Sequence, residues 1–219
     1  GTQIPMAIGA LDKSGPTGEW AFGPDIDGLL RLYYFNGGQR TFTGAITLPT
    51  GQWVHIAMTY VFAEDRLTLW QNGIQDGLAG IIPTITPSQP LSIGAYNSQS
   101  LTGQIDDVRI TMGVARYTER FQPPTREFSD IQCDPVPPET GLLDKLISWW
   151  TLNEETGSRL DSHGPNDLAP ANVPTFGAGV QNKAVSLNAA SGQFLDGGTA
   201  PTLQGGAKAC CWIAWVQTD

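Results

Sequence analysis

The chain has 219 residues, among them 26 glycines and 16 prolines, and only 15% are charged; that length buries a sizeable core, and short apolar runs between turn residues point to an all-β protein. The net charge of −9 argues against a nucleic-acid surface. No run of roughly 18 apolar residues is present, which argues against a membrane span.

In chain order, residues 2–10 read as a strand, with no signal peptide visible ahead of it. Asp12 to Gly18 is a turn and Glu19 to Gly23 a short strand. Leu29 to Phe35 and Thr41 to Leu48 flank Asn36-Gly37-Gly38, a strong hairpin signal. In QWVHIAMTYVF, Trp53, His55, Ala57 and Thr59 share one face and Val54, Ile56, Met58 and Tyr60 the other. Both faces are fairly apolar, as in a central strand. Arg66 to Trp70 follows, then Asn72-Gly73 as a type I′ turn, and Leu91 to Tyr96 is a further strand.

In GQIDDVRITMGVARY, residues 103–117, apolar Ile105, Val108 and Ile110 are interspersed with Asp106, Asp107 and Arg109. This reads as a strand with one buried face. Carboxylates are seldom buried without a partner, so a cation, backbone N–H groups or Arg109 should meet at least one of them. Val114 to Tyr117 suggests a helical turn, with helix confined to about 114–119, and Phe121 with Pro123-Pro124 closes the unit. Residues 129–142 are proline-rich and read as a linker.

The chain then starts again. Leu146 to Leu152 is a strand, Asp161 to Asp167 a tight polar turn, and Ala184 to Leu187 and Gln193 to Leu195 are short strands. Ala207 to Val216 is almost continuously apolar, which predicts a strand buried on both faces. The piece 143–219 is too short to cover both faces of a sheet alone, and an exposed apolar strand would aggregate. Another part of this chain, or of a neighbour, must complete it.

Catalytic signals are weak. By the period of two, Asp106 and Asp107 face opposite sides of a strand, which disfavours a two-carboxylate glycosidase site. Glu154 and Glu155 lie at a strand end without a partner acid at a suitable spacing, and no phosphate loop, Ser-His-Asp motif or HExxH occurs. His55 reads as a structural residue. Trp20, Trp70, Trp149, Trp150, Tyr33, Tyr34 and Tyr96 either stack on sugar rings or fill a core; adjacent Trp149 and Trp150 must face opposite sides. Cys133, Cys210 and Cys211 are odd in number and lack CxxC spacing, which speaks against zinc. They read as core residues plus a linker thiol, the alternative being a bridge from Cys133 to Cys210 or Cys211, or to another subunit.

The 103–117 string resembles the closing strand of a laminin-G-like (concanavalin A-like) jelly roll. The ending GVARYTERFQPPTREF is similar to versions found in bacteriophage virion and tail-fibre proteins. Trp53, His55, Ile56, Ala57, Asn72 and Gly73 match a hairpin of that family. Residues 143–219 resemble the beginning of such a domain and 1–128 the remainder, so the two pieces stand in permuted order around the linker 129–142. The resemblance implies an all-β antiparallel jelly-roll sandwich, completed in cis or by a neighbouring chain. Fragment, permutant and exchanged subunit are all open.

The resemblance further implies structural calcium at Asp106, with oxygens around Leu152-Asn153-Glu154 and so Asn153 as a second ligand. A carboxylate capping loop N–H groups, or pairing with Arg109, is the alternative. The Glu-x-Asp-x-x-Glu strand of the family's glycosidases is absent. The implied function is a non-catalytic structural or adhesive module of a virion appendage or extracellular fibre. Neighbouring copies, other appendage subunits and surface glycans are its expected partners. A carbohydrate-binding module of a larger secreted enzyme or adhesin is the alternative.

Overall fold

A computed structural model describes residues 8–10, 17–36, 39–80, 91–96, 99–125, 145–199 and 209–219. The N-terminal part supplies β1 (Ile8–Ala10), β2 (Thr17–Pro24), β3 (Leu29–Asn36), β4 (Gln39–Thr47), β5 (Val54–Val61), β6 (Arg66–Gln71) and β7 (Ile74–Gly80). It continues through β8 (Ser92–Ile93), β9 (Ala95–Tyr96), β10 (Gln99–Ser100) and β11 (Gly103–Met112). Beyond residue 145 come β12 (Leu146–Trp150), β13 (Ala169–Ala171), β14 (Thr175–Ala178), β15 (Lys183–Leu187), β16 (Phe194–Asp196) and β17 (Ala209–Thr218). The described residues contain no α-helix, only two 3-10 turns at Phe62–Glu64 and Ala189–Ser191. No described helix is long and apolar enough to cross a membrane.

Two antiparallel sheets make the expected sandwich. One runs β13-β16-β8-β1-β2-β3-β4; the other runs β14-β15-β11-β17-β5-β6-β7, with β12 also paired to β11. Each sheet combines strands from both sides of residue 129, through the β16–β8 pair in one and the β15–β11–β17–β5 run in the other, so the two pieces pair in cis. The segments 129–142 and Ala200–Lys208 lie outside the described residues, as do the side chains of Cys133 and Cys210.

β17 has a neighbour on each edge. Trp212, Ile213, Ala214 and Trp215 sit opposite Met58, Ala57, Ile56 and His55 of β5. On the other side Ile110, Arg109 and Ile105 of β11 face Trp212, Ile213 and Val216. Trp212, Ala214 and Val216 join the inter-sheet core with Ile56, Met58, Ile105, Ile110 and Trp150. Cys211 and Ile213 join a second apolar cluster with Ala57 and Trp70 on the opposite face. Burying one such aliphatic or aromatic side chain contributes about 1.5–3 kcal/mol, so the strand's two apolar faces dominate its placement. The continuous apolar run thus becomes an interior strand with no free edge.

β11 does not keep strict alternation. Ile105 and Val108, three residues apart, both lie in the core, and the register with β17 shifts between Asp106 and Arg109. Asp107 has φ 52° and is the extra residue of a bulge. The period-two assignment of the two acids to opposite faces therefore fails at this point. The I-D-D-V spacing was the signal, since a regular one-sided strand would bring the second apolar residue two positions on.

Two further expectations change, and two strands were not foreseen. Residues 114–119 form bends rather than a helical turn. Gly113, at φ 88°, turns the chain sideways, and the segment's polar groups bond outside it: Phe121 N–H to Gly73 O at 3.1 Å and Arg116 Nε to Thr111 Oγ1 at 2.9 Å. The strand expected over Leu91–Tyr96 is divided at Gly94, where φ is 85° and a Cβ would collide with Leu187. Strands β13 and β14, which lie in different sheets, escape a sequence reading because they are short and largely exposed, β13 carries Pro170, and neither shows apolar alternation.

At one rim Asp76 of β7 reaches across to the other sheet. Its Oδ1 accepts from the N–H groups of Ala45 at 2.8 Å and Ile46 at 2.6 Å. A Cβ on Gly44 would occupy the space its carboxylate fills. A buried acid so placed ties two sheet edges and keeps other strands off them.

Gly103 opens β11 at φ 147°, with the Gln217 carbonyl where a Cβ would stand. Gly103→Ala should lower unfolding free energy by about 1–3 kcal/mol, with the urea m-value unchanged. A loss of only a few tenths would mean that β11 and β17 do not approach this closely.

Candidate functional site

The chemically distinctive residues gather on the outer face of the larger sheet. The face alternation of β5 aims His55, Ala57 and Thr59 that way, as the sequence pattern predicted. Thr59 Oγ1 accepts from Trp70 Nε1 at 2.9 Å. The Asn72-Gly73 turn has φ values of 49° and 74°, the type I′ geometry, and holds His55 at both backbone atoms. Asn72 Oδ1 accepts from His55 N at 2.9 Å, and His55 O accepts from Asn72 N at 2.8 Å.

The segment 113–125 crosses this face. Tyr117 and Phe121 stack with ring centroids 3.6 Å apart and a 6° interplanar angle. Both meet the His55 ring edge-on, at 6.1 and 5.5 Å, and Trp215 meets it at 5.1 Å. His55 is fully buried, and among the described residues neither ring nitrogen has a hydrogen-bond partner. Burial holds its pKa far below 6.5, at about 3, so the ring is neutral at physiological pH. A base that weak does not suit general-base chemistry near pH 7, and the structural reading of His55 fits its surroundings.

Beside it, Asp107 Oδ1 accepts from Trp149 Nε1 at 2.6 Å. Trp150 points the other way, into the core, with Nε1 donating to Asn166 O at 2.7 Å. Burial lowers the Arg109 guanidinium to about 10, helped by Arg116 and opposed by Tyr117 and Asp107. Burial likewise raises the Tyr117 phenol, with Cys211 adding to the effect and Arg109 opposing it. Cys211 is buried and in no disulfide.

Asp106 and Asn153, the expected calcium ligands, converge on the β14–β15 turn. Asp106 Oδ2 accepts from Val180 N at 2.8 Å and Gln181 N at 3.3 Å. Asn153 Oδ1 accepts from Lys183 N at 3.0 Å. One oxygen of each side chain thus serves N–H donors, as in the capping alternative for Asp106. Among the described residues no three His, Cys, Asp or Glu side chains gather to hold a metal ion. Asp161 plays a similar capping role in its loop. It accepts from the N–H groups of Trp149, His163 and Gly164 on Oδ1 and from Asn166 N on Oδ2.

Of the aromatics considered for sugar stacking, Trp70, Trp150 and Tyr33 are buried. Tyr34 and Trp149 are half-buried. The side chains of Trp20 and Tyr96 lie outside the described residues. Phe176, which the sequence did not single out, is 45% exposed. Its ring lies 5.0 Å from Lys183 Nζ, and that ammonium also pairs with Glu155. Only its place on an edge strand marks it, and β14 itself was not legible.

A family model described as the concanavalin A-like lectin/glucanases superfamily matches residues 2–115, just over half of the chain. The chain belongs to this superfamily, and the two-sheet antiparallel fold agrees with it. No curated protein and no solved structure matches.

Two outcomes test the site. Asp106→Ala removes the acceptor for two loop N–H groups and should cost about 1–3 kcal/mol, while a chelator leaves the parent's melting temperature unchanged. A chelator-induced fall would instead place a cation at Asp106.

The second concerns pH. The unfolded chain protonates His55 near 6.5 and the folded chain only near 3. This contribution is therefore intact above 6.5 and is lost as pH falls toward 3, by up to about 1.4 kcal/mol per pH unit. The stability of His55→Phe relative to the parent should rise steadily from about pH 7 to about pH 4. A pH-independent difference would mean that His55 is accessible to protons in the fold.

Proposed function

We propose that this chain is a non-catalytic, lectin-type binding module that engages surface glycans. Superfamily membership supports the binding class. The observation that carries the non-catalytic part is the fate of the paired acids. Asp106 and Asp107 are both buried, and each accepts from a different donor, Asp106 from the 180–181 backbone and Asp107 from Trp149. A glycosidase needs two carboxyl groups flanking one scissile bond in an open cleft, and these two are engaged in holding the fold.

In this reading the module serves an adhesive or structural role in a virion appendage or extracellular fibre. The support is the resemblance of its 113–128 segment to phage proteins. The position of β17 between β5 and β11 supports a sandwich built from its pieces in permuted order. Phe176 is the stacking residue of choice, because an exposed ring beside Lys183 and Glu155 offers an apolar face and hydrogen-bonding groups together. A carbohydrate-binding module of a larger secreted enzyme or adhesin would use the same residues.

A glycan array that includes bacterial surface polysaccharides tests this. At least one glycan class should be retained, with no release of reducing ends on prolonged incubation. Phe176→Ala should weaken that binding by about tenfold, as expected for one lost stacking contact of ~1–1.5 kcal/mol. Absence of binding to every glycan, or release of reducing ends, would overturn the reading.

A further inference from the structure

We propose that segment 113–125 is an acid-released latch over the outer face of the larger sheet, kept shut by neutral His55 and opened when that ring takes up a proton. The segment lacks regular secondary structure. It leaves β11 through Gly113, in left-handed backbone at φ 88°, and ends beside Pro123 and Pro124. Bonds to its flanks and to neighbouring elements tether it, among them Phe121 N–H to Gly73 O, Arg116 Nε to Thr111 Oγ1, and Gln181 Nε2 to Thr125 O. Much of the attachment is apolar. Tyr117, Phe121 and Trp149 pack on the cluster of Ala57, Trp70, Cys211 and Ile213.

His55 lies between the sheet and the latch. Its backbone is fixed to the sheet side by both bonds to Asn72, so it stays behind when the segment lifts. Its ring meets Tyr117 and Phe121 of the latch and Trp215 of β17. An imidazolium carries two N–H donors, and no acceptor meets either nitrogen in the closed state. The neighbouring charges do not help it. Burial is the cause that acts on the ring; Arg109 on β11, Arg116 on the latch, Asp107, the Tyr117 phenol and the Cys211 thiol interact in the same layer, and the latch also carries Glu119 and Arg120, both exposed. Arg109 and Tyr117 both keep their protons through the acid range, so His55 is the group whose protonation drives the change.

Lifting the segment brings water to the ring, which solvates the charge. A proton therefore favours the open state. With ring values of about 3 when closed and 6.5 when hydrated, the opening equilibrium rises roughly thirtyfold between neutral pH and about pH 5. The open state presents Trp70, buried in the closed state, and more of the half-buried Trp215 to solvent. This device stands independently of glycan binding.

Hydrogen exchange on the intact chain tests it, with rates corrected for the intrinsic pH dependence of amide exchange. Protection of the Phe121 amide should fall roughly thirtyfold from neutral pH to about pH 5, while the Ile213 amide in β17 changes little. In His55→Phe, which keeps a ring but cannot take a proton, Phe121 protection should not respond to pH. His55→Gln serves if the Phe variant does not fold. An equal fall at Phe121 and Ile213 would mean global unfolding, and no fall in the parent would mean no release. An undiminished fall in the uncharged variants would assign the response to another group. Each of these overturns the latch.

Discussion

The structure depends on β17 being paired along both edges. A ten-residue strand with apolar side chains on both faces is stable only where a sheet flanks it on each side and a layer covers it above and below. β5 and β11 supply the edges. The seven-stranded sheet supplies one cover, through Phe22, Leu30 and Leu32. The other cover has to come from outside the sheets, and Tyr117, Phe121 and Trp149 provide it. The irregular segment after β11 is therefore required by the apolar outer residues of β17 and β5, and its stacked rings follow from the same demand.

Placing such a strand at the centre brings polar groups into apolar surroundings, and each is accommodated by a separate device. Asp106, Asp107, Asp161 and Asp76 accept N–H donors from the backbone or from an indole, so their charges hold loops and sheet edges in register. Unpaired buried carboxylates would cost several kcal/mol each, so these acids are tied to their positions. His55 is accommodated differently, by remaining neutral among aromatic rings. The acids that might have suggested hydrolysis are thereby engaged in holding the fold.

Much of the fold was legible in the sequence because burial leaves periodic traces. The two-faced pattern around His55 marked β5 as central, and the apolar run ending in Trp215-Val216 marked β17 as interior. Asn72-Gly73 named its turn type from the two residues alone. What was not legible depended on contacts distant in sequence. The Asp107 bulge follows from docking β11 on β17, and Asp76 finds its donors on a strand about thirty residues earlier. Strands β13 and β14 carry too few buried residues to leave a pattern. For Asp106 the sequence offered three kinds of partner, and only the fold brings Val180 and Gln181 to it. Nothing in the spacing of Phe176 set it apart from any other aromatic.

The central claim is that one chain completes its own sandwich by placing β17 between β5 and β11. An isotope-filtered NOE experiment on an equal mixture of two differently labelled samples, unfolded together and refolded, tests it most directly. The account predicts that contacts of Trp212 and Ile213 with Met58 and Ala57, opposite one another across the two strands, appear only within molecules of one label. Finding those contacts between the two labels would show that the strand is exchanged between chains, and would contradict it.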